Sequence, residues 1–575
     1  MLKLFRYMRP YRSAVLLVLL FTFFQALSEL YLPTLMADIV NVGIVKGDTT
    51  YIWRMGGFML AIAAGGMICS IAASYLASKS ASGFGRLLRG RIFSHVENFT
   101  LQEFDKVGTA SLITRTTNDI TQVQQVTIMI LRMMALAPMM CIGGIIMAVS
   151  RDPGLTTVLI AALPVLALSI FIIAKKGIPL FKAIQLKIDN LSRVMREGLT
   201  GIRVIRSFNR TEHEKVRFND ANEDLTQTAI KVNKIMGAMM PVMMLVMNFA
   251  TLAIVWFGGH RIDEGHMMVG DLMAFLQYAM MIMFSLIMVS VMFVMIPRAQ
   301  ASAVRINEVL DMKPEIHDPK EAKPASSRKG YIEFEDVTFY YPGAEEPAVS
   351  NISFQASPGE ITAVIGGTGS GKSTLISLIP RFYEVTSGRI LVNGTDIRDM
   401  KQEDLRAKIG FVPQKALLFT GSIADNIRYG KEDATDEEVK HAAEVAQAAD
   451  FISAMEGGYN AEISQGGGNV SGGQKQRLSI ARALVRRPEI YVFDDSFSAL
   501  DFKTDAKLRA ALKEETTEST VLIVAQRVTT VMDADRIIVL DQGRIAGMGT
   551  HEELMENSEV YREIVSSQLS EEEIA

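Results

Sequence analysis

The sequence predicts two fold classes in one chain. An all-α polytopic membrane domain of six transmembrane helices with long cytoplasmic extensions is followed by an α/β domain with a mostly parallel sheet. Three observations carry this. Six apolar, charge-free runs lie before residue 300. Beyond residue 330 the pattern changes to short β-rich runs alternating with helical ones. One of those β-rich runs ends in a glycine-rich loop that opens a helix, GGTGSGKST at 366–374.

The apolar runs are Ser13–Ser28, Met55–Ser78, Met133–Ser150, Leu155–Ala174, Ile235–Gly259 and Leu272–Ile296. Each is long enough, or nearly so, to cross a hydrocarbon core of about 30 Å. The first is short alone but continues through Glu29 to Pro33. Hydrophobic residues make up 49% of the 575, a content concentrated in this half. The net charge of −4 gives no basic character that would point to nucleic acid. Cys69 and Cys141 fall inside apolar runs and read as small hydrophobes, not as a disulfide framework. The first run opens late and lacks a small-residue cleavage pattern, so no cleavable signal peptide is expected.

Connections after runs one, three and five are short; those after runs two and four are long, charged and helical in pattern. Lys3, Arg6, Arg9 and Arg12 beside Leu2, Leu4, Phe5 and Tyr7 predict a basic amphipathic helix on the cytoplasmic face. With the N-terminus inside, both long connections and everything after run six are cytoplasmic. The predicted domains are residues 1–312 (six membrane helices), a Pro- and charge-rich linker over 313–330, and the α/β domain over 331–575. The β-rich runs of the last are YIEFEDVTF, ITAVIG, RILVNG, IGFVPQ, IYVFDD, TVLIVAQ and RIIVLDQGRI.

Gly366, Gly367, Thr368, Gly369, Ser370, Gly371, Lys372, Ser373 and Thr374 form G-x-x-x-x-G-K-S in its required strand–loop–helix setting. Glycines let backbone N–H groups turn inward around phosphates at a helix N-terminus. Lys372 is placed to reach the β- and γ-phosphates of ATP, and Ser373 to ligate Mg²⁺. Four apolar residues ending on Asp494 read as a buried strand presenting a metal-binding carboxylate.

Phosphate loops serve many enzymes; a second motif narrows the choice. NVSGGQKQRLSIARAL at 469–484 places Ser471, Gly472, Gly473 and Gln474 at the start of a helix, just before the Asp494 strand. In this order the motifs resemble the ATP-binding cassette family, and the match covers the whole chain, as an exporter-type half-transporter in a cell membrane with its cassette in the cytoplasm. The resemblance implies that Tyr341 stacks on adenine and that Gln414 links Mg²⁺ and the attacking water to the membrane domain. It also implies that Ser498–Asp501 faces a partner cassette.

Three positions depart from the family pattern. Asp495 stands where a glutamate prepares the attacking water, Gln526 where a histidine contacts the γ-phosphate, and Gln465 where a glutamate is usual. Losing one methylene withdraws the carboxylate by about 1.5 Å, and misplacement of about 1 Å costs roughly 100-fold. A neutral amide cannot carry the imidazole's proton or charge. Asp495 and Gln526 beside an intact phosphate loop imply a site that binds ATP and hydrolyses it slowly. In this family each ATP lies between one phosphate loop and the opposite Ser-Gly-Gly-Gln. The resemblance is therefore to the degenerate-site subunit of bacterial heterodimeric multidrug exporters, with a second half-transporter as partner.

Within the long connections, Phe104, Asp105, Ile205 and Phe208 are expected to touch the cassettes. Residues 236–295 hold fifteen of the 34 methionines, a polarizable lining able to re-pack around different apolar guests. Asn248, Gln277 and Tyr278 are expected to avoid lipid, and Glu29 and Arg132 are ionisable groups in or beside spans. The expected activity is ATP-driven export of hydrophobic or amphipathic compounds. A lipid or peptide flippase with the same motor, or an ATP-responsive regulatory subunit, are the alternatives.

Overall fold

The computed structural model describes residues 1–321 and 328–569; residues 322–327 of the predicted linker and 570–575 lie outside the described residues. The chain divides into two compact units, Met1–Asn98 with Val107–Lys313, and Phe99–Lys106 with Pro314–Ala575.

Six helices in the first unit are long and apolar enough to cross a membrane: Lys3–Ile44, Thr49–Val96, Thr109–Arg151, Thr156–Thr200, Thr211–Asp263 and Val269–Asp311, here spans 1 to 6. Prolines 33, 138, 164, 179, 241 and 297 lie inside them. Neighbouring helices make such interruptions tolerable in lipid. The N-terminus is not one amphipathic helix. A short α-turn, Leu2–Phe5, passes into a 3₁₀ segment, Arg6–Tyr11, that contains Pro10 and leads into the long α-helix Arg12–Asp38 of span 1. A pyrrolidine there removes a helical donor and crowds the preceding turn.

Span 1 packs chiefly on span 2, span 3 on span 6, and span 4 on span 5. The core joining them buries Leu166, Met243, Phe275, Tyr278 and Met283. Tyr278 is 0% exposed. Its hydroxyl donates to the Leu30 carbonyl at 3.0 Å and shares a 2.7 Å hydrogen bond with Thr34 Oγ1, so a phenol in lipid depth is fully satisfied. At the outer ends, Arg151 binds Asp271 at 2.8 Å and Arg261 binds the buried Asp152 at 2.6 Å. At the inner ends, Asp119, 3% exposed, accepts from Ser302 Oγ at 2.9 Å and from Arg305 Nε at 2.8 Å, tying span 3 to span 6.

In the second unit a six-stranded sheet runs Arg544–Gly549, Arg536–Asp541, Ile361–Gly366, Thr520–Val524, Ile490–Asp494, Ile409–Val412. All neighbours are parallel except the first pair. Ile490–Asp494 and Thr520–Val524 are buried at every residue, as strands covered on both faces must be. A separate antiparallel sheet, built on Ile332–Phe339, Val349–Ala356 and Ser387–Val392, packs through Phe334, Phe339 and Phe354. The short helix Leu101–Val107 joins this unit. Its Glu103, 5% exposed, accepts from Thr100 N at 2.7 Å and Glu315 N at 3.0 Å.

Replacing Arg305 by Ala strands the buried Asp119 carboxylate with Ser302 as its donor. Because Arg305 is itself half exposed, the expected loss is about 1–3 kcal/mol. It is read as a lower thermal midpoint of the detergent-solubilised chain, with Arg305→Lys recovering only part, since lysine cannot make the forked contact.

Candidate functional site

The parallel register brings four chain segments to one edge of the sheet. The glycine-rich loop follows Ile361–Gly366, Asp494 ends its own strand, Gln526 follows Thr520–Val524, and Gln414 follows Ile409–Val412. Ligands of open α/β sheets bind outside the carboxyl ends of the strands, and these residues lie there.

Two glycines of the loop are dictated by geometry. Gly371 has φ +95°, and a Cβ on it would stand 2.4 Å from the Ala348 carbonyl oxygen. A Cβ on Gly366 would stand 2.2 Å from that of Leu540. Gly367 and Gly369 face open space, the cradle that a phosphate chain requires. Lys372 opens the following helix, 8% exposed, its Nζ donating to the carbonyls of Gly366 at 2.8 Å and Gly367 at 2.7 Å. Burial pushes this ammonium down from its ordinary range, while Asp495 and Asp494 pull it back.

Ser373 Oγ donates to Asp494 Oδ1 at 2.9 Å. Burial holds the Asp494 carboxyl above the usual carboxylate range, with the charge of Asp495 adding to the rise and Ser373 and Lys372 opposing it. Two adjacent buried carboxylates, a hydroxyl and an ammonium form a site that Mg²⁺ and a triphosphate would complete, so the residues present fit that group. The same pair of carboxylates makes the Asp495 surroundings unusual. Asp495 takes φ +47° and donates its backbone N–H to the Val524 carbonyl at 2.9 Å. Its Oδ2 accepts from two amides at once, Gln526 Nε2 at 3.0 Å and Gln414 Nε2 at 3.2 Å.

Tyr341 lies beside this cluster, its hydroxyl 3.0 Å from Thr374 Oγ1 and its ring T-shaped to Phe339 and Tyr383. The Ser471–Gln474 segment is built for another purpose. Ser471 caps the helix Gly472–Leu484 by accepting from Gln474 N, and Gln474 Oε1 accepts from Ser471 N at 2.8 Å, a capping box. Ser471 and Gly472 are exposed, so their hydroxyl and N–H groups face outward from the chain. Of the expected contact residues, Phe208 is 74% exposed, as is much of the helix Ile202–Ser207 around it.

Two residues escaped the sequence reading. Tyr383, 9% exposed, donates its hydroxyl to Asp105 Oδ2 of the helix Leu101–Val107 at 3.4 Å while its ring meets Tyr341 at 5.5 Å between centroids. Burial, reinforced by Tyr341 and Asp105, pushes its phenol up to about 12, so it stays a donor. The other is Gln568, whose Nε2 donates to the Gln526 carbonyl at 2.8 Å and whose Oε1 accepts from Val528 N at 2.9 Å. Neither position carries a local motif; only chain folding brings them to the site.

Comparison with known proteins agrees with this architecture. The ABC transporter transmembrane region matches residues 15–286, and the ABC transporter domain matches residues 349–498. An ABC transporter ATP-binding protein of Mycobacterium tuberculosis is 43% identical over 567 residues, 98% of this chain and 97% of its own. An ATP-dependent lipid A-core flippase of Chromobacterium violaceum is 31% identical over 573 residues, 99% of this chain and 97% of its own. A bacterial Atm1-family ABC exporter solved with ATP bound superposes with a TM-score of 0.81 at 25% identity, covering 97% of this chain and 99% of that one. With six apolar spans ahead of a phosphate-loop sheet, the chain belongs to the ABC transporter family, as an exporter half-transporter of the membrane whose cytoplasmic domain uses ATP and Mg²⁺ to drive transport.

Proposed function

We propose that this chain is the degenerate-site half of a heterodimeric exporter of hydrophobic or amphipathic compounds. The observation that carries the reading is the double amide clamp on Asp495. In this reading Gly366–Thr374 wraps the phosphates, Lys372 holds the β- and γ-phosphates, and Tyr341 stacks on adenine. Ser373, Asp494 and Gln414 hold Mg²⁺, which when bound supplies charge neutralisation on the phosphates. Asp495 is the base position. A carboxylate one methylene short, with one oxygen already accepting from Gln414 and Gln526, is badly placed to orient and deprotonate water.

Gln526 adds a second deficit, since an amide that donates to Asp495 is turned away from a γ-phosphate and brings no positive charge. ATP is then held longer than it is cut. A homodimer would pair two such sites, whereas a partner half with Glu and His at these positions would have one competent site, completed by Ser471–Gln474 of this chain. ABC exporters act as dimers, and the outward-facing Ser471 and Gly472 suit that role.

The substrate class rests on spans 5 and 6. Met273, Gln277, Met280 and Phe284 recur at helical spacing and are exposed on the isolated chain, as are Met240, Met244 and Asn248 on span 5. Tyr278 and Met243 by contrast are core. An adaptable methionine surface with single amides suits apolar guests bearing one or two polar groups. The lipid flippase among the relatives favours a second reading, in which that guest is a lipid.

Four outcomes are expected. Asp495→Glu with Gln526→His raises single-site ATP turnover by about ten-fold or more, measured with the partner's base removed; an unchanged rate refutes the degenerate site. Asp494→Asn relieves a buried like-charge pair, so the chain melts at a higher temperature without nucleotide while Mg²⁺-dependent hydrolysis is lost. Tyr383→Phe keeps the aromatic packing and the KM for ATP but lowers cargo stimulation of hydrolysis, because only the link to Asp105 is cut. Asp105→Asn, which keeps an acceptor oxygen, should behave like the wild type.

A further inference from the structure

We propose that the cytoplasmic unit carries a second ligand site, a pocket that binds an organic monoanion with an apolar body. It lies between the helix Phe502–Glu515 and the short helix Val528–Val531, over the strands Ile361–Gly366 and Thr520–Val524. Its volume is about 470 Å³, within the range of about 300–1,000 Å³ usual for small-molecule pockets. None of its lining residues belongs to the nucleotide site. The pocket reaches the amino ends of these strands, where Val521 pairs with Ile361, whereas the phosphate loop follows the carboxyl end of Ile361–Gly366.

The gap follows from residue size. Ala506, Arg509, Ala510 and Lys513 share one face of their helix at steps of three and four, and two of the four are alanines. Ala534, from the segment after Val528–Val531, is equally short. Val521 and Ile523, two apart on one strand, point to the same sheet face. With Leu512 they form an apolar floor, 2%, 4% and 4% exposed respectively. Ala510 and Lys513 are exposed and stand at the mouth. An apolar body seated on this floor leaves water, which is the driving force for its binding.

The polar groups of the lining select the charge. Lys513 has no ion-pair partner among the described residues. Arg509 is held loosely, its Nε 3.4 Å from Asp505 and its Nη1 3.5 Å from Asp533, a carboxylate 82% exposed. Asp505 lies outside the lining and also feels the charge of Arg527. The lining itself therefore holds two cations and one solvated carboxylate, and a single negative charge balances that count. Arg509 and Lys513 are neighbours four apart on the helix surface, so one anionic group set between them gains charge-assisted bonds. Thr530, 6% exposed, adds a donor in the same cavity, its hydroxyl without a partner among the described residues. The other lining hydroxyl, Thr516 Oγ1, is already spent on the Leu512 carbonyl at 2.7 Å.

The test is equilibrium dialysis of radiolabelled 4-phenylbutyrate against the full chain in lipid nanodiscs, with empty nanodiscs to subtract partition into lipid. Saturable binding of one molecule per chain is expected, and acetate, which lacks the apolar body, does not compete. The matching alcohol, 4-phenylbutanol, and the matching amine, 4-phenylbutylammonium, compete about ten-fold or more weakly, since neither makes the charge-assisted bonds. Lys513→Gln weakens binding about ten-fold and Thr530→Val a few-fold. Ala510→Phe, which fills the mouth from an exposed position, abolishes it. Absence of saturable binding overturns the proposal. So does full binding by Ala510→Phe, which would put the anion elsewhere, in the membrane unit. Equal competition by the alcohol would mean an apolar crevice without charge selection, and also overturns it. Should Ala510→Phe fail to fold, Lys513→Gln decides the question, an unchanged affinity counting against the site.

Discussion

Parallel pairing of five strands is the constraint from which the rest of the cytoplasmic unit follows. Register places Val524 beside Asp494 and beside Val364, so their chain ends emerge on the same side. The loop at Gly366–Gly371, Asp494 with Asp495, and Gln526 therefore meet without any of them being adjacent in sequence. Slipping one strand by one residue would turn its side chains to the other face and take Asp494 away from Ser373. A continuous apolar run such as Ile490–Phe493 suits a sheet buried on both faces, and its register is marked by the polar end at Asp494, bonded to Ser373.

Charge placed at that edge is costly, and the site manages it by mutual pairing. Lys372 is surrounded by carbonyl acceptors, Ser373 donates to Asp494, and Asp495 receives two amides. These bonds give each buried polar group of the pocket a partner.

Tyr341 connects this pocket to the helix Leu101–Val107 through Tyr383 and Asp105, a chain of one ring contact and one hydrogen bond. Glu103 fixes the same helix to the start of the linker at Glu315. A segment drawn from between two membrane spans is thus held by polar contacts at both of its carboxylates. In the membrane unit, with no water at that depth, a buried polar group gains most from a protein partner, as Tyr278 does in Thr34 and Leu30.

The sequence by itself determined the two fold classes, the six spans and the family, because these rest on local signals: unbroken apolar length, a strand–glycine loop–helix pattern, and motif order. It also marked Asp495 and Gln526 as departures, since a missing methylene or imidazole is visible in the residue type. Tertiary structure alone decided that Asp495 and Gln526 bond to each other, that Tyr383 reaches Asp105 across 278 positions, and that Gln568 braces the Gln526 turn. It also decided that Phe99–Lys106 folds with the second unit, and that Pro10 sits in a 3₁₀ segment where an amphipathic helix was expected. Contacts between residues far apart leave no periodicity or spacing in the chain. They arise from which strand ends and helix faces the packed core brings together, and that is fixed only when the whole unit has folded.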